Sequence, residues 1–414
     1  MANTLNLGDG NWATKEDSLL AYNSENNNYK PLPFDFSRGS SATRVNKDGL
    51  IETVGGGEPR IDFKDNTKGA LLLEPTRTNI LLNSDNGSSY GVYGATKTLD
   101  EVISLDGTLN SFTLEGNGDV NQVWGGSSNK TLSAGDYTFS VFAKKGTNNF
   151  IQLFLSEFSG SSNGQAYFDL ENGTTPSSFG RIENYGNGWY KCSVVGTVVG
   201  SDLTGRFGFR ISYTSSNFFF PTANDAIGKN AYFYGFQAEQ GSYATSYIPT
   251  SGEANGVTRL ADSCSQTLPS PVFNSYPFSV FAEVDVVDTS TGYVFSLLKS
   301  TSSAEYFTIE YFSNVWHITA RPNGSTERIT STTTVTKGTH KIVGVWESSS
   351  MKLYLNGSLI ASGSNSQSFN IQVNSMLLGQ LRISGDTGSR NTVRQTELYN
   401  NALTDEQAIA LTTI

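Results

Sequence analysis

The residues with the clearest chemical potential fall in one run, Glu283-Val284-Asp285-Val286-Val287-Asp288. Along a strand, alternating side-chain direction puts Glu283 and Asp285 on one face and Ala282, Val284 and Val286 on the other. Paired carboxyls are the equipment of glycoside hydrolysis, and a retaining mechanism needs them ~5 to 5.5 Å apart. A solvated strand face gives the same pattern without any chemistry. The reading adopted is that no catalytic pair exists, with the Glu283 and Asp288 carboxyls expected to diverge or to lie beyond that spacing. The two histidines, His317 and His340, adjoin no nucleophile motif, and the chain has neither a His-x-x-x-His nor a Cys-x-x-Cys pair to hold zinc. Structural roles are expected of both.

Aromatic side chains offer a second chemistry, stacking against sugar rings. Trp124, Trp189, Trp316, Trp346, Tyr185 and Tyr213 are the candidates. Trp189 and Trp346 lie in strongly apolar strands and read as core. The carbohydrate-binding set is therefore Trp124, Tyr185, Tyr213 and Trp316. No cofactor is implied. The loops Asn83 to Asn86 and Asp386 onward offer oxygen ligands of the kind calcium takes, without EF-hand spacing. Metal content stays open.

Composition sets the frame for these residues. At 414 residues the chain exceeds one ordinary core, so two or three domains are expected. Charged residues are only 16%, while aromatics reach 12%, enough to fill several cores and too many for a disordered chain. Abundant Gly, Ser, Thr and Asn call for many short strands and turns. The net charge of −10 comes without any basic run, which argues against nucleic-acid binding. No stretch approaches the ~20 apolar residues of a membrane span. Met1-Ala2-Asn3-Thr4 has no basic region followed by an apolar one, so no secretory signal is expected. Of the two cysteines, Cys192 alternates with Tyr190 and Val194 and reads as a small buried hydrophobe, while Cys264 sits in a polar, linker-like stretch. A disulfide between them is not expected.

The fold class expected is all-β, with two β-sandwich (jelly-roll) domains after an N-terminal docking segment. Residues 1–83 form that segment. Within it Thr14-Lys15-Glu16-Asp17 has a capping-box layout that predicts a short helix over 15–22, and Asp48-Gly49 predicts a hairpin turn. Residues 84–250 alternate repeatedly between turn dipeptides such as Asn117-Gly118, Asn172-Gly173 and Asn187-Gly188, the pattern of a first sandwich. Residues 251–270 read as a linker, and 271–414 as a second sandwich. It ends in a helix capped by Thr404, with Gln407 at the capping-box position. The N-terminal segment holds Trp12, Phe34, Phe36, Leu71 to Leu73 and Ile80 to Leu82 among prolines and glycines. That much apolar surface predicts an interface, with a homotrimer first and a dimer second.

Several stretches resemble known families. Leu71-Leu72-Leu73-Glu74-Pro75-Thr76-Arg77-Thr78-Asn79-Ile80-Leu81-Leu82, with Ser246-Tyr247-Ile248-Pro249-Thr250 further on, resembles virion proteins of tailed bacteriophages, particularly head- and tail-fibre subunits. Gly135-Asp136-Tyr137-Thr138-Phe139-Ser140 and Asn187-Gly188-Trp189-Tyr190 resemble carbohydrate-binding-module jelly rolls. Tyr354-Leu355-Asn356-Gly357 and the closing Glu397 to Leu411 resemble the concanavalin A-like, laminin-G type fold. Laminarinase-like glycosidases of that fold carry Glu-x-Asp-x-x-Glu, which Glu283, Asp285 and the one-methylene-shorter Asp288 resemble incompletely. The resemblances imply a virion fibre or decoration subunit, exposed on the particle and binding host-surface glycan, with residues 1–83 meeting other virion proteins. Alternatives are a glycan hydrolase and a capsid cement protein without a ligand.

Overall fold

The computed structural model describes residues 5–15, 18–20, 33–85, 87–158, 164–199, 204–250, 253, 255–267, 275–300, 304–369, 373–380 and 391–414. Strands account for 53% of the chain and helix for 3%, so the all-β class expected from sequence is observed. The strand pairings described are all antiparallel, as in sandwiches built from hairpins and meanders.

The chain forms two compact units. One joins residues 1–47, 53–76 and 260–414; the other joins 48–52 and 77–259. The first is therefore discontinuous in sequence. Among the described residues its eight-stranded sheet runs Ser358–Ser364, Ser350–Leu355, Gly338–Trp346, Phe278–Val286, Asn391–Tyr399, Ala70–Leu73, Ile61–Asp62, with Leu5–Gly8 also pairing with Asn391–Tyr399. Its nine-stranded sheet runs Ala13–Lys15, Ser18–Leu20, Pro33–Ser37, Ser263–Thr267, Ser375–Leu378, Thr291–Leu298, Tyr306–Phe312, Val315–Arg321, Glu327–Thr334. The N-terminal residues thus supply strands to both sheets.

This differs in three ways from the sequence expectation. The described N-terminal residues up to 76, apart from 48–52, are part of a sandwich: Leu7, Phe34, Phe36, Ile61, Leu71 and Leu73 are buried in one core with Phe278, Trp316 and Trp346. Burial of this kind contributes roughly 1.5–3 kcal/mol per large side chain. These apolar side chains, among those that pointed to an intermolecular interface, are covered within the chain itself. The helix expected over 15–22 is replaced by Ala13–Lys15 and Ser18–Leu20, paired through Ala13 with Leu20 and Lys15 with Ser18. The second of these strands pairs on with Pro33–Ser37, and such pairing overrides a weak local helix signal; residues 21 and 22 lie outside the described set. Finally, the presumed linker carries the strands Val257–Arg259 and Ser263–Thr267, and Cys264 is fully buried between sheet partners. Both thiols are free and buried, and burial pushes both up from their usual pKa.

Around Asp262 the discontinuous unit is pinned by a buried ion network. Arg38 Nη1 donates to Asp262 Oδ1 at 3.0 Å, Arg60 Nη1 to Glu74 Oε2 at 2.8 Å, and Arg60 Nη2 to Asp262 Oδ2. The Glu74 backbone N–H adds a bond to Asp262 Oδ2 at 2.8 Å. All four side chains are shielded from water. Burial alone would lower the Arg60 pKa, but Asp262 and Glu74 outweigh it and raise it.

The second unit packs a six-stranded sheet (Ala95–Leu99, Phe112–Gly116, Asn230–Gln240, Gly135–Lys145, Trp189–Val198, Gly180–Asn184) around its own core with another. That other sheet runs Gly91–Tyr93, Val123–Gly126, Thr204–Ser212, Phe150–Ser156, Gln165–Asp169. Phe112, Phe209, Phe233 and Phe236 interlock in the core with ring centroids 4.9 to 6.3 Å apart. Cys192 lies in this core beside Val194, as its alternation predicted.

The residues behind the phage-fibre resemblance have structural work. Asn79 Nδ2 donates to the carbonyls of Phe236 (3.0 Å) and Ile248 (2.9 Å), and its Oδ1 accepts from Leu81 and Ala238. Ser84 and Thr250 exchange bonds between each side chain and the other's backbone N–H, and Tyr247 Oη lies 2.8 Å from Ser84 Oγ. The two stretches therefore meet in space and close the second unit.

Candidate functional site

The six-stranded sheet built on Thr204–Ser212, to which Lys130–Thr131 also pairs, has one face in the core and one facing away from it. Along Thr204–Ser212, Phe207, Phe209 and Ile211 point inward, so Arg206, Gly208 and Arg210 point outward. Register carries that face across the sheet: Tyr93 opposes Trp124, Trp124 opposes Arg210, Arg210 opposes Gln152, and Gln152 opposes Tyr167. One row thus crosses five strands with aromatic, cationic and amide groups.

Tyr93 is 48% exposed, and its ring lies 5.9 Å from that of Trp124. Trp124 is half-buried, with Phe154 edge-on at 6.4 Å and the Arg206 guanidinium 6.0 Å over its ring. Arg206 in turn bonds Glu157 at 2.9 Å. Arg210 donates from Nη1 to Gln152 Oε1 at 3.2 Å, and the buried Gln152 donates from Nε2 to Gln165 Oε1 at 3.1 Å. Such a face can stack a sugar ring on Tyr93 or Trp124 and bond its hydroxyls through the polar groups beside them.

The four expected carbohydrate residues separate. Trp124 is on this face. Tyr213 is 46% exposed just beyond the strand that carries Arg210, edge-on to Phe220 at 5.8 Å. Tyr185 follows the strand Gly180–Asn184 of the other sheet and packs against Phe142 at 4.9 Å, so it is not brought to the row. Trp316 is a correction: it is fully buried in the first unit, edge-on to Tyr311 at 5.1 Å and His340 at 5.5 Å, out of reach of any ligand. Sequence reasoning did not single out Tyr93, Arg206, Arg210, Gln152 or Tyr167. The signal was present in Arg206-Phe207-Gly208-Phe209-Arg210, whose alternation sets two cations on one face.

In the first unit, Glu283 and Asp285 do face away from the core, as their alternation implied. Asp285 accepts two bonds of 3.0 Å from Arg394 Nε and one of 2.6 Å from Thr339. Asp288 accepts from the backbone N–H and Oγ of Ser290, fixing the turn after the strand. His317 stacks on Phe312 at 3.8 Å and His340 contacts the Thr336 carbonyl at 2.7 Å. Among the described residues no cluster of three His, Cys, Asp or Glu side chains could hold a metal ion. Asn86 and the Asp386 loop, raised as oxygen ligands, lie outside the described residues.

Residues 260–408 match the family model of the concanavalin A-like lectin/glucanases superfamily, of laminin-G type. The match begins at the residue where the chain returns from the second unit. Among solved structures, the chain is similar to the receptor-binding domain of botulinum neurotoxin mosaic serotype C/D, with 13% identity and a TM-score of 0.29 over 36% of this chain and 39% of that one. It is also similar to the CBM40 module of the Ruminococcus gnavus IT-sialidase, with 14% identity and a TM-score of 0.31 over 34% of this chain and 85% of that module. The chain therefore spans well under half of the toxin domain it resembles. No curated protein matches the sequence.

Proposed function

We propose that this protein is a non-catalytic glycan-binding subunit of a phage virion, a fibre or decoration protein of head or tail exposed on the particle. The observation that carries sugar binding is the row Tyr93–Trp124–Arg210–Gln152–Tyr167, which combines a part-exposed aromatic pair with polar groups on a rigid sheet. Lectin-like similarity over residues 260–408 supports the same reading. The virion setting is supported by the resemblance of residues 71–82 and 246–250 to phage fibre subunits. Against a hydrolase that uses Glu283 and Asp288 stands the engagement of the Asp288 carboxylate by Ser290 in the turn after the strand.

A glycan array with wild type and Trp124→Ala tests the binding. The wild type is expected to retain a subset of glycans and the variant to lose roughly tenfold in affinity, the scale of one aromatic contact. Binding unchanged in the variant would sink this site. Reducing-sugar release from the retained glycans would replace the reading with the hydrolase, and an array without any retained glycan would favour the ligand-free cement. Self-association, trimer before dimer, belongs to the proposal on the fibre resemblance alone, since Phe34, Phe36, Leu71 and Leu73 are buried within the chain, and is read by sedimentation.

A further inference from the structure

We infer that the sheet face carrying Trp124 selects glycans that bear a carboxylate, and that Arg210 is the residue that reads the acid. The inference rests on the sugar-binding reading above and deepens it to a ligand class. The Arg210 guanidinium lies between two rings, 4.0 Å from the centroid of Phe154 and 4.1 Å from that of Phe218. Cation–π attraction on both sides holds it in one orientation before any ligand arrives. Gly208 makes room for this arrangement. A Cβ there would fall 2.2 Å from Cζ of Phe154, so a side chain at 208 would push the ring off the guanidinium.

The donors of Arg210 are unevenly used. Nη1 is bonded to Gln152 Oε1, while Nε has no acceptor. No hydrogen bond among the described residues engages Nη2. No carboxylate among the described residues pairs with Arg210, in contrast to Arg206, four residues back on the same face, which is bonded to Glu157. Burial pulls the Arg210 pKa below its usual value, with the nearby Tyr167 hydroxyl opposing. A partly desolvated, immobilised cation without a counter-ion is unfavourable on its own. Nε is itself shielded from water, which leaves Nη2 as the donor that a ligand carboxylate meets through a charge-assisted bond. In a chain of net charge −10, an acidic ligand needs such a local cation to bind at all.

The test measures binding of the full-length protein to three ligand sets by titration calorimetry: uronic-acid oligosaccharides, sialylated oligosaccharides, and the same molecules after carboxyl reduction. One acidic set is expected to bind, and its identity names the source of the carboxylate. Carboxyl reduction is expected to weaken it about ten- to a hundredfold, the range of a charge-assisted pair. Arg210→Gln is expected to erase the discrimination, bringing the affinities for the acidic and the reduced ligand to within about twofold of each other, while Trp124→Ala weakens both. Arg210→Met keeps the stem between the rings and controls for folding. Equal affinity for acidic and reduced ligands overturns the inference and leaves sugar binding standing. Absence of binding to every ligand removes both readings.

Discussion

Trp316 and Trp124 both lie mid-strand and both read as stacking candidates, yet one is core and the other surface. The difference is in what opposes them: Trp316 faces Tyr311 and the interior of a two-sheet sandwich, Trp124 the outward row with Arg210. Trp316→Ala should therefore cost about 3–5 kcal/mol in chemical denaturation, the cost of emptying a large core site, and leave any glycan preference of the folded fraction unchanged. His317 gives a pH signature. Burial holds its pKa below 6.5, with Arg328 acting the same way and the Phe312 carbonyl opposing. The folded state thus keeps this imidazole neutral where the unfolded chain already takes up a proton, so its contribution is present above pH ~6.5 and is lost as pH falls below that value. His317→Gln should flatten the fall in stability between about pH 7 and pH 5; an unchanged slope would mean the ring is protonated in place. Alternation along one strand was enough to place Cys192, Glu283 and Asp285 on their faces. It could not tell Trp316 from Trp124, because that depends on whether the outward face of the strand is covered by another layer, which is a property of the whole sandwich.

At the level of elements, Arg38, Arg60, Glu74 and Asp262 tie together segments far apart in sequence. Removing one partner leaves the others charged and buried, so Asp262→Ala should destabilise the first unit by about 3–5 kcal/mol. If the loss stays under 1 kcal/mol, the network is replaceable by solvent and the burial described is not its resting state. A chain starting at residue 84 lacks Phe34, Phe36 and Leu71 to Leu73, with the strands that complete both sheets. It should be recovered only as aggregate, where a dispensable docking arm would leave a soluble sandwich. Hairpin and turn chemistry was legible: Gly49 takes φ 79° in its turn, and Thr404 caps the last helix with Gln407 completing the box. The strand at Ser263–Thr267 was not, because a short polar segment becomes a strand through partners more than a hundred residues away, Pro33–Ser37 and Ser375–Leu378.

Over the whole molecule, the two units hold separately composed cores. Calorimetry should then resolve two unfolding transitions, with Asp262→Ala lowering one and leaving the other in place. A single transition that moves as a block would mean the cores melt as one. Composition and turn spacing announced two sandwiches. Which residues built the second of them in sequence order was hidden, since a strand from residue 71 and one from residue 393 look alike until paired.

That pairing has a consequence for how the protein is made. Between Thr76 and Leu260 the ribosome adds about 180 residues, which at cellular rates takes roughly 10–40 s. For that interval Phe34, Leu71 and Leu73 have emerged without the strands that cover them. The later-starting unit is complete first, and the earliest residues of the chain are among the last to find their place. Aggregation of the nascent chain is thus most acute midway through synthesis, and slowing translation beyond residue 260 should lower soluble yield more than slowing it before residue 34.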